Sequence, residues 1–260
     1  MPRNAVTAAP KADFAHEIIY SIVTLTEQRD QRSLIQSLLV GLEEMLDDAG
    51  LWMAVIPPGT DLELFRPPEP GESFDILKKL QPFLRDPGKP LVLALSRPDE
   101  RKNIPMLLEA FHASPELREA ANLLIIAGNR DDVRDLDPGA QEVLTTLLLL
   151  VDAYDLYGSV ALPKRHNADE IPEVYRAAFA SGGVFINPAL TEPFGLTLLE
   201  AAASGVPVVA SRRPGLVDSV RDGETGRLVP YGDAAAFAAA ALDLLRDPGE
   251  RERYAARARE

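Results

Sequence analysis

Two glutamates, Glu192 and Glu200, bracket the run Pro193-Phe194-Gly195-Leu196-Thr197. Pro193 holds Glu192 extended, and Gly195 lets the backbone pass close to a ligand before a helix begins. The amides of Gly195, Leu196 and Thr197 open that helix without partners. A terminus of this kind attracts phosphate through its free donors and its dipole. A carboxylate before the turn and another on the helix can each accept paired hydroxyl hydrogen bonds, which suits a sugar and a ribose on either side of a diphosphate. The chemistry indicated is nucleotide-sugar binding. A plainer reading stands beside it, with Glu192 in a solvated loop and Glu200 paired with a basic neighbour.

A second polar stretch, Ser96-Arg97-Pro98-Asp99-Glu100-Arg101-Lys102-Asn103, follows an apolar run. Arg97 and Lys102 lie across a turn from each other and can face one diphosphate, arginine as a planar fork and lysine as a point charge. The alternative is a solvated basic loop in a chain with 27 Lys and Arg. Gly128-Asn129-Arg130-Asp131-Asp132 and Pro163-Lys164-Arg165-His166-Asn167 are further polar clusters after apolar runs, the latter lining a base pocket or lying on the surface. The chain has no Gly-x-Ser-x-Gly elbow, no Walker-type loop and no Gly-x-Gly-x-x-Gly fingerprint, so hydrolase, kinase and dehydrogenase plans lack their parts.

These loops need a scaffold that delivers them to one place. Short, mostly unalternated apolar runs at residues 52–56, 91–95, 123–127, 160–162, 184–186, 206–210 and 227–229 are expected as strands buried on both faces. Helical patterns at 74–84, 104–111, 140–154, 171–179, 194–204 and 234–245 fill the gaps. That alternation predicts an α/β fold, a doubly wound parallel sheet, over residues 51–260. Asp137-Pro138 and Asp247-Pro248 each place a capping side chain before a proline suited to the first helical position. Residues 66–71, rich in proline, read as a stiff surface loop.

Residues 1–50 form a separate segment. Its Ala- and Pro-rich start reads as a disordered terminus. Residues 14–49 then show two amphipathic helical patterns, through Phe14, Ile18, Ile22 and Leu25 and through Leu34, Ile35, Leu38, Leu39, Leu42, Met45 and Leu46. Their apolar faces pack on the following domain, on each other or on a second copy of the chain.

The net charge of −13 and pI near 4.8 oppose binding to nucleic acid or an anionic membrane surface. With no cysteine, disulfides, thiolate zinc sites and a cysteine nucleophile are excluded, as suits a reducing cytoplasm. His16, His112 and His166 show no ligand spacing, so no metal site is expected. No apolar run reaches the ~18 residues of a membrane span and the first residues lack a signal-peptide core, so a cytoplasmic location is expected.

Taken together, the 96–103 and 128–132 stretches and the run Pro188-Ala189-Leu190-Thr191-Glu192-Pro193-Phe194-Gly195-Leu196-Thr197-Leu198-Leu199-Glu200-Ala201 resemble sucrose-phosphate synthase, with sucrose synthase a close second. Both are retaining nucleotide-sugar glycosyltransferases of the GT-B fold. The resemblance covers roughly residues 54–250. It implies that residues 51–260 are the Rossmann-like donor half of a GT-B enzyme that transfers glucose from UDP-glucose to fructose 6-phosphate. Arg97, Lys102 and Glu192 would be the catalytic residues, the two cations on the diphosphate and Glu192 on the hexose. Backbone at Phe194, Gly195, Leu196 and Thr197 would contact sugar and phosphate, and Glu200 the ribose hydroxyls.

The family's usual account of retention has the acceptor attack the face the nucleotide leaves, with the leaving phosphate taking its proton. It requires no cofactor and no metal. Ser211-Arg212-Arg213-Pro214-Gly215 departs from the adjacent glycine pair that the family carries before a proline. The roughly fifty residues before the donor domain do not resemble the family's acceptor domain. The expectation is therefore a donor half that works with a separate acceptor domain, or with a second copy through residues 14–49. Two other expectations stay open: a non-catalytic nucleotide-sugar-binding module with a helical dimerisation segment, and a nucleotide-sugar 2-epimerase.

Overall fold

The computed structural model describes residues 59–259. The expected segment at 1–50 and the expected strand at 52–56 lie outside these residues.

Six strands form one parallel sheet: β1 Leu91–Leu95, β2 Asn122–Ile126, β3 Val160–Ala161, β4 Val184–Asn187, β5 Val208–Ser211 and β6 Gly226–Val229. Their spatial order is β3-β2-β1-β4-β5-β6. The chain winds outward in one direction from β1 to β3, then returns to place β4 on the other side of β1. Val92 pairs with Val184 and Leu93 with Phe185 across that reversal. Parallel neighbours need crossovers, and helices supply them.

Eight α-helices are described: α1 Ile76–Leu80, α2 Ile104–Ala113, α3 Pro115–Ala120, α4 Pro138–Ala153, α5 Ile171–Ala180, α6 Leu196–Ala203, α7 Ala234–Arg246 and α8 Pro248–Arg257. Side chains alternate along each strand and so feed two cores. Val92 and Ala94 of β1 join Ile104, Leu108 and Phe111 of α2, Leu147 of α4 and Phe237 of α7 on one face. Leu91 and Leu93 join Ile76 of α1, Tyr175 of α5 and Leu198 of α6 on the other. The sheet is covered on both faces, as doubly wound folds require.

Both predicted caps are present. The Asp137 carboxylate accepts from the Ala140 amide and the Asp247 carboxylate from the Glu250 amide, each with proline next in the chain. The proline-rich loop is held in place by ion pairs from Glu72 to Arg66 at 3.2 Å and to Arg176 at 2.9 Å. The helix expected over 74–84 is shorter, because Pro82 interrupts its ladder and residues Gln81–Phe83 tighten into a 3-10 turn. Helix α3 is an addition: Ser114 accepts from the Leu117 amide and Pro115 starts a new helix directly after α2.

Candidate functional site

In an open parallel sheet the crevice at a topological switch point forms where neighbouring crossovers go to opposite faces, at the carboxyl ends of the strands. Here that point lies between β1 and β4. The loop leaving β1 carries Arg97 and Lys102, and the loop leaving β4 carries Glu192 through Thr197. Lys102 and Glu192, 90 residues apart in the chain, are thus neighbours because of strand order.

Lys102 ends a 3-10 turn, Glu100–Lys102, capped by Asp99, whose carboxylate accepts from the Arg101 amide. The Arg101 side chain also binds Asp99 and holds its carboxyl down at about 2, well below the usual range. Asn103 then takes a left-handed conformation (φ 53), which asparagine tolerates, and turns the chain into α2. This turn meets the β4 loop directly. The Arg101 carbonyl accepts from the Leu190 amide at 2.8 Å, and Lys102 Nζ donates to Glu192 Oε2 at 2.7 Å. Both side chains of this pair are largely buried, with 16% and 13% exposed. Arg97 sits on the same loop, exposed, and its guanidinium makes no hydrogen bond or ion pair among the described residues. The structure therefore brings Lys102 to Glu192 and leaves the Arg97 side chain exposed on the same loop.

Gly195 caps α6 in the left-handed region (φ 67), with no side-chain cap. Among the described residues the amides of Gly195, Leu196 and Thr197 donate to nothing. The loop before them is braced from the segment that follows β5: Ser219 Oγ donates to the Phe194 carbonyl at 3.0 Å. Gly215 (φ 86) comes so close to Glu192 that a β-carbon there would sit 2.0 Å from the Glu192 carbonyl oxygen. The glycine pair expected before the proline is absent, and the glycine whose backbone meets that of Glu192 is Gly215, which follows the proline. The arginines beside it turn to other work. Arg212 pairs with Asp222, and Arg213 donates to the Leu190 carbonyl at 3.0 Å while lying 3.8 Å from the centre of the Tyr231 ring.

Glu200 lies on α6, partly buried, and contacts no basic residue among the described ones. Burial pushes its pKa up, opposed by a hydrogen bond from Tyr175 Oη at 3.0 Å. Burial also pushes the Tyr175 phenol well above its ordinary value, with the Glu200 charge adding to the shift, so the hydroxyl stays a donor. Sequence reading singled out Glu200 but not Tyr175, which at helical spacing looks like core packing. Asn103, Arg213 and Gly215 were missed as contacts for another reason: their roles depend on which loops meet.

Two further polar loops meet beside the site. Asn129 and the His166 backbone exchange hydrogen bonds of 2.8 and 2.7 Å, and buried Arg130 donates to the Leu162 and Pro163 carbonyls. Desolvation lowers the pKa of both Arg130 and His166. No group of three or more acids and histidines gathers as a metal site among the described residues, and no described helix is long and apolar enough to cross a membrane.

The doubly wound sheet, with Lys102 and Glu192 meeting at its switch point, is the fold whose class the comparisons name. The chain belongs to the family described as glycosyl transferases group 1, whose model matches residues 75–260. More particularly, it is similar to probable sucrose-phosphate synthase 1 of rice, Oryza sativa subsp. indica. The two are 49% identical over 210 residues, covering 75% of this chain and 19% of that protein. The solved sucrose-phosphate synthase from Thermosynechococcus elongatus is 30% identical and superposes with a TM-score of 0.63, over 84% of this chain and 50% of that one. The Anabaena protein Alr3699/HepE, solved in complex with UDP-glucose, shares the fold at 21% identity and a TM-score of 0.61, over 77% and 50% of the two chains. The fold is that of one Rossmann-like half of a GT-B glycosyltransferase. The chain spans about a fifth of the length of the curated relatives it matches.

Proposed function

We propose that this chain is the nucleotide-sugar-binding half of a retaining glycosyltransferase of the sucrose-phosphate synthase type, taking glucose from UDP-glucose for transfer to fructose 6-phosphate. The observation that carries the reading is the meeting of Lys102 with Glu192 at the switch point, beside the amides that open α6, which have no partner among the described residues. In this reading the α6 amides, Lys102 and Arg97 hold the diphosphate, Glu192 the hexose hydroxyls and Glu200 the ribose.

The division of labour follows from charge. As the bond between the sugar C1 and the phosphate oxygen breaks, negative charge grows on the departing diphosphate. Fixed cations and amide dipoles stabilise that charge more than the ground state. The acceptor oxygen bonds to C1 on the same face, and its proton passes to the departing phosphate oxygen. Lys102 changes partner in this scheme: with no ligand it neutralises Glu192, and an arriving diphosphate draws it away. Glu192 is then free to accept hexose hydroxyls.

Binding and turnover are tested separately. Calorimetry with UDP-glucose asks whether the donor is held, and a saturable heat is expected. Incubation with UDP-glucose and fructose 6-phosphate, with product read by mass, asks whether the chain also completes transfer. Absence of any donor binding would reject the reading.

A further inference from the structure

We propose that Tyr175 is the positioning residue that aims the Glu200 carboxylate at the ribose of a nucleoside diphosphate. This rests on the assignment of Glu200 to the ribose given above. Tyr175 is fully buried in α5, and a buried phenol needs a hydrogen-bond partner. It has one proton and two acceptors, Glu200 Oε2 at 3.0 Å and the Thr197 carbonyl at 3.2 Å. Against an ionised Glu200 the carboxylate takes the proton, because a charge-assisted bond is stronger than a neutral one.

The phenol cannot swing away. Phe65 packs edge-on at 5.9 Å between ring centres, and Phe185 of β4 lies at 5.7 Å. Glu200 receives no other hydrogen bond from a described residue, so the fixed phenol anchors Oε2 and leaves the other oxygen to a ligand. The same hydroxyl touches the carbonyl of Thr197, in the first turn of α6. One buried group therefore ties the acid to the helix end whose amides open the site.

The bond also governs ionisation. Burial favours the protonated acid, and a protonated acid loses part of its capacity to accept hydroxyls. Among the described residues no cation and no second acid acts on Glu200 from any packed element, so Tyr175 is the group that opposes burial.

The test is titration of UDP and of 2′,3′-dideoxy-UDP into the full chain and into Tyr175→Phe, across pH 5 to 8. The wild-type chain should prefer UDP by about 10- to 100-fold, the value of hydroxyl bonds to a charged group. Tyr175→Phe should cut that preference to within about threefold, leave dideoxy-UDP affinity nearly unchanged, and move the pH at which the remaining preference is half lost upward. Loosened packing alone would weaken both ligands equally.

Discrimination that persists in Tyr175→Phe would overturn this inference and leave the Glu200 assignment standing. A wild-type chain that binds both ligands equally, or neither, would overturn the Glu200 assignment and this inference with it. Should Tyr175→Phe fail to fold, 3,5-difluorotyrosine at position 175 keeps the hydroxyl and makes it a stronger donor. The pH midpoint of the preference should then fall, and an unmoved midpoint would contradict the proposal.

Discussion

Lys102 Nζ lies 2.7 Å from Glu192 Oε2, and this bond joins the loop leaving β1 to the loop leaving β4 across the sheet's reversal point. Both ends are mostly withdrawn from water, so each charge relies on the other. A double-mutant cycle of Lys102→Met and Glu192→Gln, followed by urea unfolding, should give a coupling of about 1–3 kcal/mol, since residues in one ion pair do not act additively. Each single variant leaves an unpaired charge, so the double variant should be less destabilised than the sum of the two.

Gly215 and Gly223 both have positive φ, yet they should respond differently to alanine. At Gly223 an added β-carbon meets nothing within 4 Å, so Gly223→Ala should cost about 1 kcal/mol from backbone strain. At Gly215 the added carbon would sit 2.0 Å from the Glu192 carbonyl oxygen, so the two backbones must part. Gly215→Ala should cost about 3 kcal/mol or more by thermal melting and should also weaken UDP-glucose binding, since Glu192 moves with its backbone.

The raised pKa of Glu200 has consequences of opposite sign for stability and for binding. Because the folded state holds the proton more tightly than the unfolded state, its contribution to stability is full below the unfolded value near 4.5. That contribution is lost as pH rises through the raised folded value. Melting of Glu200→Gln beside the wild-type chain should therefore show the variant gaining relative stability from pH 4 to pH 7. Nucleotide affinity should run the other way in the wild-type chain, improving over the same window as the carboxylate forms.

Asp137 and Asp247 cap α4 and α8 and take no part in the site. Alanine at either position should cost about 1 kcal/mol, the usual value of a lost N-cap. UDP affinity should be unchanged in both variants, which separates general loss of stability from loss of the site.

Much of this was legible before the structure. Strands buried on both faces leave unbroken apolar runs, so the run at 91–95 coincides with β1, and the cap-and-proline pairs marked the starts of α4 and α8. Strands at 206–210 and 123–127 were displaced by one or two residues, because Val206 and Ala127 are buried without belonging to a ladder. Glu192 and Lys102 stood out by residue type and by the punctuation around them. Tyr175, Gly215 and Arg213 did not, since each acts through a tertiary contact, Tyr175 between α5 and α6 and the other two between the loops that leave β5 and β4. A tyrosine on a helix reads as packing until the carboxylate opposite its hydroxyl is known.

The central claim is that the two loops and the opening turn of α6 form one diphosphate site. Its most direct test is calorimetric titration of UDP into the wild-type chain and into the double variant Arg97→Ala/Lys102→Ala. The predicted result is saturable binding by the wild-type chain, weakened about 100-fold or more in the variant, in line with the loss of two charge-assisted contacts. Equal affinity in the two proteins, with the variant folded, would contradict it.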